Sequence, residues 1–256
     1  MSLSTKTQPP TLRVSGLGFR VGGSQILSDI DLDVEEGSFL GIIGPNGAGK
    51  TTLLNQLSGL LEPTAGTIEL NGRDLRGVRP SQRARLGMGR TFQTSSLFNS
   101  LSVLENARLS AQARLGGNMR LWRRPRSSDE ATLAAREAIE SVGLDEMAER
   151  TTGALSHGDK RKLELAILLA AEAKVLLLDE PMAGVNTEDV PMLSALIGRL
   201  HHEGRTVVMV EHHMAVVIGL AQNVAVLNYG RLLAVGDPAS VMANETVQSA
   251  YLGEPL

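Results

Sequence analysis

Apolar residues gather along this chain in short runs, separated by stretches in which they recur at helical spacing. Within residues 34–43 the run Phe39, Leu40, Ile42 and Ile43 breaks at Gly44, and helical spacing resumes over residues 50–61, which predicts strand, loop and helix in succession. Residues 175–178 and 206–210 are nearly unbroken apolar runs, the pattern of strands covered on both faces in a parallel sheet. A helical pattern precedes each. One spans residues 187–202, with Val190, Leu193, Leu196, Ile197 and Leu200 on one face and Pro191 in the first turn, where a missing N–H is tolerated. This alternation predicts an α/β sheet. Residues 67–71 before Gly72, and residues 224–227 turning at Tyr229 and Gly230 into residues 231–235, read instead as antiparallel strands, so a mixed sheet is expected.

Strand-like runs vanish between about residues 100 and 154, and a helical pattern over residues 128–142 follows a loop with Gly116, Gly117 and Pro125. A helical subdomain inserted into the α/β core is expected. The organisation read from the sequence is a flexible N-terminal tail at 1–10, a core built from 11–98 and 155–240, a helical subdomain at 99–154, and a C-terminal segment at 241–256. The insertion carries Arg114, Arg120, Arg123, Arg124 and Arg126 with no acid until Asp129, a charge run that reads as a solvated loop first and as a contact for lipid headgroups or another subunit second.

Composition narrows the function classes. A length of 256 residues suffices to bury a full core, and the absence of cysteine excludes disulfides, thiolate metal sites and cysteine nucleophiles. The net charge of -3 does not favour nucleic acid, and 3% aromatic residues against 27 glycines argue against base-stacking platforms. No apolar stretch approaches the roughly 18 residues of a membrane span. Residues 1–10 are polar around Lys6 and do not read as a secretory signal, so a cytoplasmic protein is expected.

Chemistry enters at Gly44-Pro45-Asn46-Gly47-Ala48-Gly49-Lys50-Thr51, which matches the P-loop pattern in full and lies between a predicted strand and a predicted helix. Its glycines let backbone N–H groups converge on phosphate oxygens, the helix presents its positive end, Lys50 adds a point charge, and Thr51 can ligate Mg²⁺, with Thr52 beside it. Such a loop calls for a second strand ending in an acid, and Val175-Leu176-Leu177-Leu178-Asp179 supplies one. Asp179 is the candidate for holding Mg²⁺, and Glu180 the candidate for orienting or deprotonating an attacking water. Alone, such an acidic pair would be a helix cap; beside a P-loop it is a catalytic candidate.

Taken in order, the P-loop at Gly44, Gln93, Leu155-Ser156-His157-Gly158-Asp159, Asp179-Glu180 and His212 resemble the ATP-binding subunits of ABC transporters, over about residues 12–253. Gly89-Arg90-Thr91-Phe92-Gln93, Leu178-Asp179-Glu180-Pro181, Val210-Glu211-His212 and Ala250-Tyr251-Leu252-Gly253-Glu254 look most like the subunits serving branched-chain amino acid importers, with urea importers a neighbouring branch. The resemblance implies a P-loop ATPase core of RecA type, with Gln93 joining Thr51 and Asp179 as a Mg²⁺ ligand and His212 contacting the γ-phosphate. It further implies that Ser156 and Gly158 reach the γ-phosphate held by an opposite subunit, so that the working unit is a dimer with itself or a paralogue. Membrane permeases and, indirectly, a solute-binding protein are the implied partners, and the inner face of the cell membrane is the implied location.

Several residues depart from the family pattern. Val21 occupies the place of an aromatic that stacks on adenine, with Phe19 nearby. His157 and Asp159 replace a glycine and a glutamine of the signature element, and Asn186 ends a dimer-contact loop where Asp is usual. The expected function is hydrolysis of MgATP to drive amino-acid uptake through separate permeases; the alternatives are an importer of urea or another small solute, and a soluble ABC ATPase outside transport. Long coiled coils, zinc motifs or a second cassette would mark the last, and 256 residues show none.

Overall fold

The computed structural model describes residues 10–91, 97–116 and 129–252. The chain runs through β1 (Leu12–Val21), β2 (Ser24–Val34), β3 (Phe39–Ile43), α1 (Lys50–Ser58), β4 (Ala65–Leu70), β5 (Arg73–Asp74), α2 (Pro80–Arg85) and β6 (Met88–Arg90). Helices α3 (Val103–Arg114), α4 (Glu130–Ser141) and α5 (His157–Ala170) follow. Next come β7 (Val175–Asp179), α6 (Val190–His202), β8 (Thr206–Val210), α7 (Met214–Leu220), β9 (Asn223–Asn228), β10 (Arg231–Gly236), α8 (Pro238–Met242) and α9 (Glu245–Leu252).

The main sheet has the order β10-β9-β3-β8-β7-β6, parallel except for β10, so it is mixed as expected. The strand read at 67–71 does not join it. That segment is β4 of a second, antiparallel sheet with the order β2-β1-β4-β5, whose two longest strands were not expected from the apolar pattern because polar residues interrupt them. Residues 224–227 likewise pair on both edges, antiparallel to β10 and parallel to β3.

Alternation along the buried strands divides their side chains between two cores. Leu40, Ile42, Val175, Leu177, Val208 and Val210 meet Leu53, Leu54 and Leu57 of α1 and the inner face of the antiparallel sheet, while Phe39, Ile43, Leu176, Leu178, Val207 and Met209 meet the helical layer. In α6 the predicted apolar face is the buried one: Leu193, Leu196, Ile197 and Leu200 are almost wholly covered, each contributing about 1.5–3 kcal/mol before the cost of ordering it. α6 begins at Val190 rather than at 187, because Pro191 fits only its first turn. α3 and α4 pack on one another and on α5, so the helical layer takes in residues beyond the expected limit at 154. Of the basic run, Arg114 pairs with Glu172 at 3.1 Å; Arg120, Arg123, Arg124 and Arg126 lie outside the described residues, as do the tail at 1–9 and residues 253–256. Among the described residues no helix is long and apolar enough to cross a membrane.

Candidate active site

Register sets the site. Ile42, Val210 and Asp179 stand side by side across β3, β8 and β7, so the segments leaving them at Gly44, Glu211 and Glu180 emerge together at the carboxyl edge of the sheet, where α/β folds collect ligand groups.

The loop from Gly44 to Gly49 is seated against the β9–β10 turn. A Cβ on Gly44 would lie 2.1 Å from the carbonyl oxygen of Leu227, and one on Gly49, which caps α1 at φ 103°, would lie 2.6 Å from Leu27 Cδ2. Only glycine fits either position. Gly230 N–H donates to the carbonyl of Ala48 at 3.0 Å, which fastens the loop to the hairpin behind it. Asn46 and Gly47 stay exposed at the tip, Pro45, Thr51 and Thr52 are half-buried, and Ala48 is buried. Lys50 is 6% exposed, and its Nζ donates to the carbonyls of Gly44 at 2.7 Å and Pro45 at 3.0 Å. Burial lowers its pKa from the usual lysine value, against the opposing pull of Glu180 and then Asp179.

Asp179 is buried at the end of β7, and its Oδ2 accepts from Arg90 Nη2 at 2.8 Å. Arg90 Nη1 in turn donates to Asn55 Oδ1 at 2.7 Å and Ser58 Oγ at 2.8 Å, tying α1 to the acid. Burial raises the Asp179 pKa above the ordinary carboxylate value, against the lowering effect of Arg90. Among the described residues its Oδ1 is buried without a hydrogen-bond partner, an orphaned acceptor beside the P-loop lysine that fits a hydrated divalent cation. Among the described residues no cluster of three or more His, Asp or Glu encloses a metal, but Mg²⁺ completed by phosphates and water needs only one or two protein oxygens. Thr51 and Asp179 are hard oxygen donors of that kind. Gln93 lies outside the described residues.

Glu180 follows Asp179 with φ 49°, a left-handed conformation that costs a non-glycine residue about 1–2 kcal/mol. Its N–H donates to the carbonyl of Val210 at 2.9 Å, and its Oε1 lies 2.9 Å from His212 Nε2. The structure thus joins two residues that are 32 positions apart in sequence. His213 is bound to Glu211, a residue inside the Val210-Glu211-His212 segment to which sequence alone assigned no role of its own.

Ser156 is the N-cap of α5. Its Oγ accepts from the N–H of Asp159 at 3.1 Å and donates to Asp159 Oδ2 at 2.7 Å, and Lys162 Nζ is 3.2 Å from Asp159 Oδ1. The unusual acid in the signature element is therefore held by a hydroxyl and an ammonium. Gly158 faces Asp189, whose Oδ2 would lie 3.3 Å from an added Cβ. Neither Ser156 nor Gly158 hydrogen-bonds to the P-loop, and Asn186 is exposed. Val21 is 56% exposed at the β1–β2 turn, whereas Phe19 is packed against the core, which leaves Val21 as the accessible side chain of the two.

Comparison with known proteins places these features in context. The family described as ABC transporter matches residues 27–183, and the one described as branched-chain amino acid ATP-binding cassette transporter matches residues 231–255. The chain is 40% identical over 251 residues to the high-affinity branched-chain amino acid transport ATP-binding protein BraF of Pseudomonas aeruginosa, spanning 96% of this chain and 98% of that one. Against LivG of Escherichia coli, which bears the same description, identity is 39% with the same spans. A solved nucleotide-free ATP-binding cassette from an ABC transporter matches with a TM-score of 0.84 and 26% identity over 95% of this chain and 99% of that one. An ADP-bound conformation of such a cassette matches equally well.

Proposed function

The chain belongs to the ABC transporter family of ATP-binding cassettes, and from that premise we propose that it hydrolyses MgATP to drive import of branched-chain amino acids through separate membrane permeases. The observation that carries the hydrolytic reading is the Glu180 Oε1 to His212 Nε2 contact of 2.9 Å beside Lys50 and Asp179. A carboxylate held by an imidazole at the edge of a phosphate-binding loop can orient a water and take its proton. Lys50 and the N–H groups of the glycine loop would bind the phosphates, and Thr51, Asp179 and Gln93 would hold Mg²⁺. When bound, Mg²⁺ neutralises charge on the β- and γ-phosphates. Ser156 and Gly158, at the positive end of the 14-residue helix α5, serve the phosphate of an opposing subunit, consistent with their lack of any bond to their own P-loop.

Docking of a permease is assigned to the junction of core and helical layer. At that junction Leu97 and Val103 are core, Leu101 is half-buried, and Phe98 is 59% exposed. Where α2 and β6 meet α3 and α5, an apolar cavity of about 290 Å³, lined by Leu60, Pro80, Ala84, Met88 and Leu168 among others, has room for apolar side chains of the membrane partner. This assignment puts the protein against the cytoplasmic face of the membrane.

The solute reading is supported by the similarity to BraF and LivG and by the C-terminal family match. Its test is reconstitution with branched-chain amino acid permeases and their solute-binding protein from the same organism. Stimulation of ATPase activity by leucine-loaded binding protein is the expected result; stimulation by urea alone, or transport outward without a binding protein, would overturn it.

Val21 has no π-face for a base. Val21→Phe is therefore expected to tighten ATP binding about fivefold or more, the low end of what base-on-aromatic stacking contributes. The parent should bind ATP and GTP within about tenfold of one another. Fluorescence titration of both proteins checks this, and unchanged ATP affinity in the variant would refute it.

A further inference from the structure

Glu211 is 1% exposed and sits where β8 ends, yet it carries a charge that burial opposes unless donors surround it. They do. Its Oε1 accepts from the N–H of Met182 at 2.9 Å, and its Oε2 accepts from the N–H groups of His212 at 2.6 Å and His213 at 3.0 Å. The imidazole Nδ1 of His213 is 3.1 Å from the same oxygen.

These donors belong to different loops. Met182 follows Glu180 out of β7, while His212 and His213 follow β8, and the ladder between the two strands ends at the pair Asp179 and Val210. Past that pair, one backbone bond spans the two exits, from Glu180 N–H to the Val210 carbonyl. The chain needs another tie to keep Glu180 and His212 at hydrogen-bonding distance, and the two oxygens of one carboxylate supply it, one to each loop.

We propose that Glu211 is a positioning residue for ATP hydrolysis, its buried carboxylate setting the separation of the loops that carry Glu180 and His212. The proposal deepens the hydrolytic reading above and rests on it. Glu211 touches neither water nor nucleotide in this role; it acts through the 2.9 Å contact between the other two. Gln in its place keeps the shape but turns an NH₂ group toward one set of N–H donors, and Asp keeps the charge but is one methylene too short to reach both loops.

The full-length protein carrying Glu211→Gln, Glu211→Asp, Glu180→Gln, or Glu211→Gln with Glu180→Gln is assayed for turnover, for affinity toward a fluorescent ATP analogue, and for thermal unfolding. Both single Glu211 variants are expected to lose about tenfold or more in kcat, the scale of a small misplacement of catalytic groups, with KM and analogue affinity within about twofold of the parent. The double variant is expected to turn over no more slowly than Glu180→Gln alone, because residues acting through one another do not add. A purely structural role would instead lower affinity and kcat together and would add in the double variant, and either result overturns the proposal, as does kcat within about twofold of the parent in both single variants. Where Glu211→Gln does not fold, Glu211→Asp decides by the same limits. Absence of turnover in the parent protein would overturn the hydrolytic reading itself, and normal turnover in Glu180→Gln would remove Glu180 from it; both are thereby distinguished from failure of the Glu211 proposal alone.

Discussion

Glu180→Gln is expected to slow ATP turnover about 10²–10⁴-fold, the range supplied by a positioned general base, while leaving nucleotide binding near the parental level. The amide keeps the hydrogen bond to His212 and the length of the side chain, but it cannot accept a proton from water. Lys50, Thr51 and Asp179 are untouched, so phosphate and Mg²⁺ contacts persist and ATP remains bound without being consumed. Two such chains should then accumulate as a dimer closed on nucleotide, visible as an ATP-dependent shift in size-exclusion chromatography. Turnover within about tenfold of the parent, measured on protein free of contaminating ATPase, would remove Glu180 from the catalytic role.

Arg83→Ala is expected to cost about 3–5 kcal/mol of folding stability, since it leaves several buried carbonyls unpaired at about 1–3 kcal/mol each before relaxation. Arg83 is 1% exposed and donates through Nε to the carbonyl of Val78 at 2.9 Å, through Nη1 to those of Gln56 and Leu57 at 2.7 Å each, and through Nη2 to that of Leu75 at 2.9 Å. Its charge thus sits on the negative end of α1 and pins the segment after β5 to it. Gly59 at φ 80° leaves room for the guanidinium, since a Cβ there would lie 2.7 Å from Arg83 Nε. Alanine leaves these carbonyls without donors and opens a cavity beside the helix that begins in the phosphate loop. For a chain of 256 residues such a loss corresponds to a drop of about 10 °C in Tm, read by calorimetry or circular dichroism. Arg83→Lys should recover part of it, because one ammonium cannot reach both ends of the fork. A Tm within about 3 °C of the parent in Arg83→Ala would contradict this account.

Alternation and helical spacing were enough to predict the α/β class, the buried strands at 175–178 and 206–210, the apolar face of α6 and the mixed character of the main sheet, because each is a periodicity written in neighbouring residues. The glycine loop was legible for the same reason: its glycines, Lys50 and Thr51 are consecutive, and a phosphate cradle is built from consecutive backbone groups. Tertiary structure alone decided that β1, β2 and β4 form a sheet of their own, since pairing partners leave no mark on a strand's own sequence. It also decided which ions are buried. Arg83 reaches carbonyls up to 27 positions away, Glu211 reaches an N–H 29 positions away, and Arg90 meets Asp179 across 89 positions. In the sequence none of the three shows its partner; only when strands β6, β7 and β8 lie side by side do Arg90 and Glu211 gain theirs, and only when α2 packs against the end of α1 does Arg83.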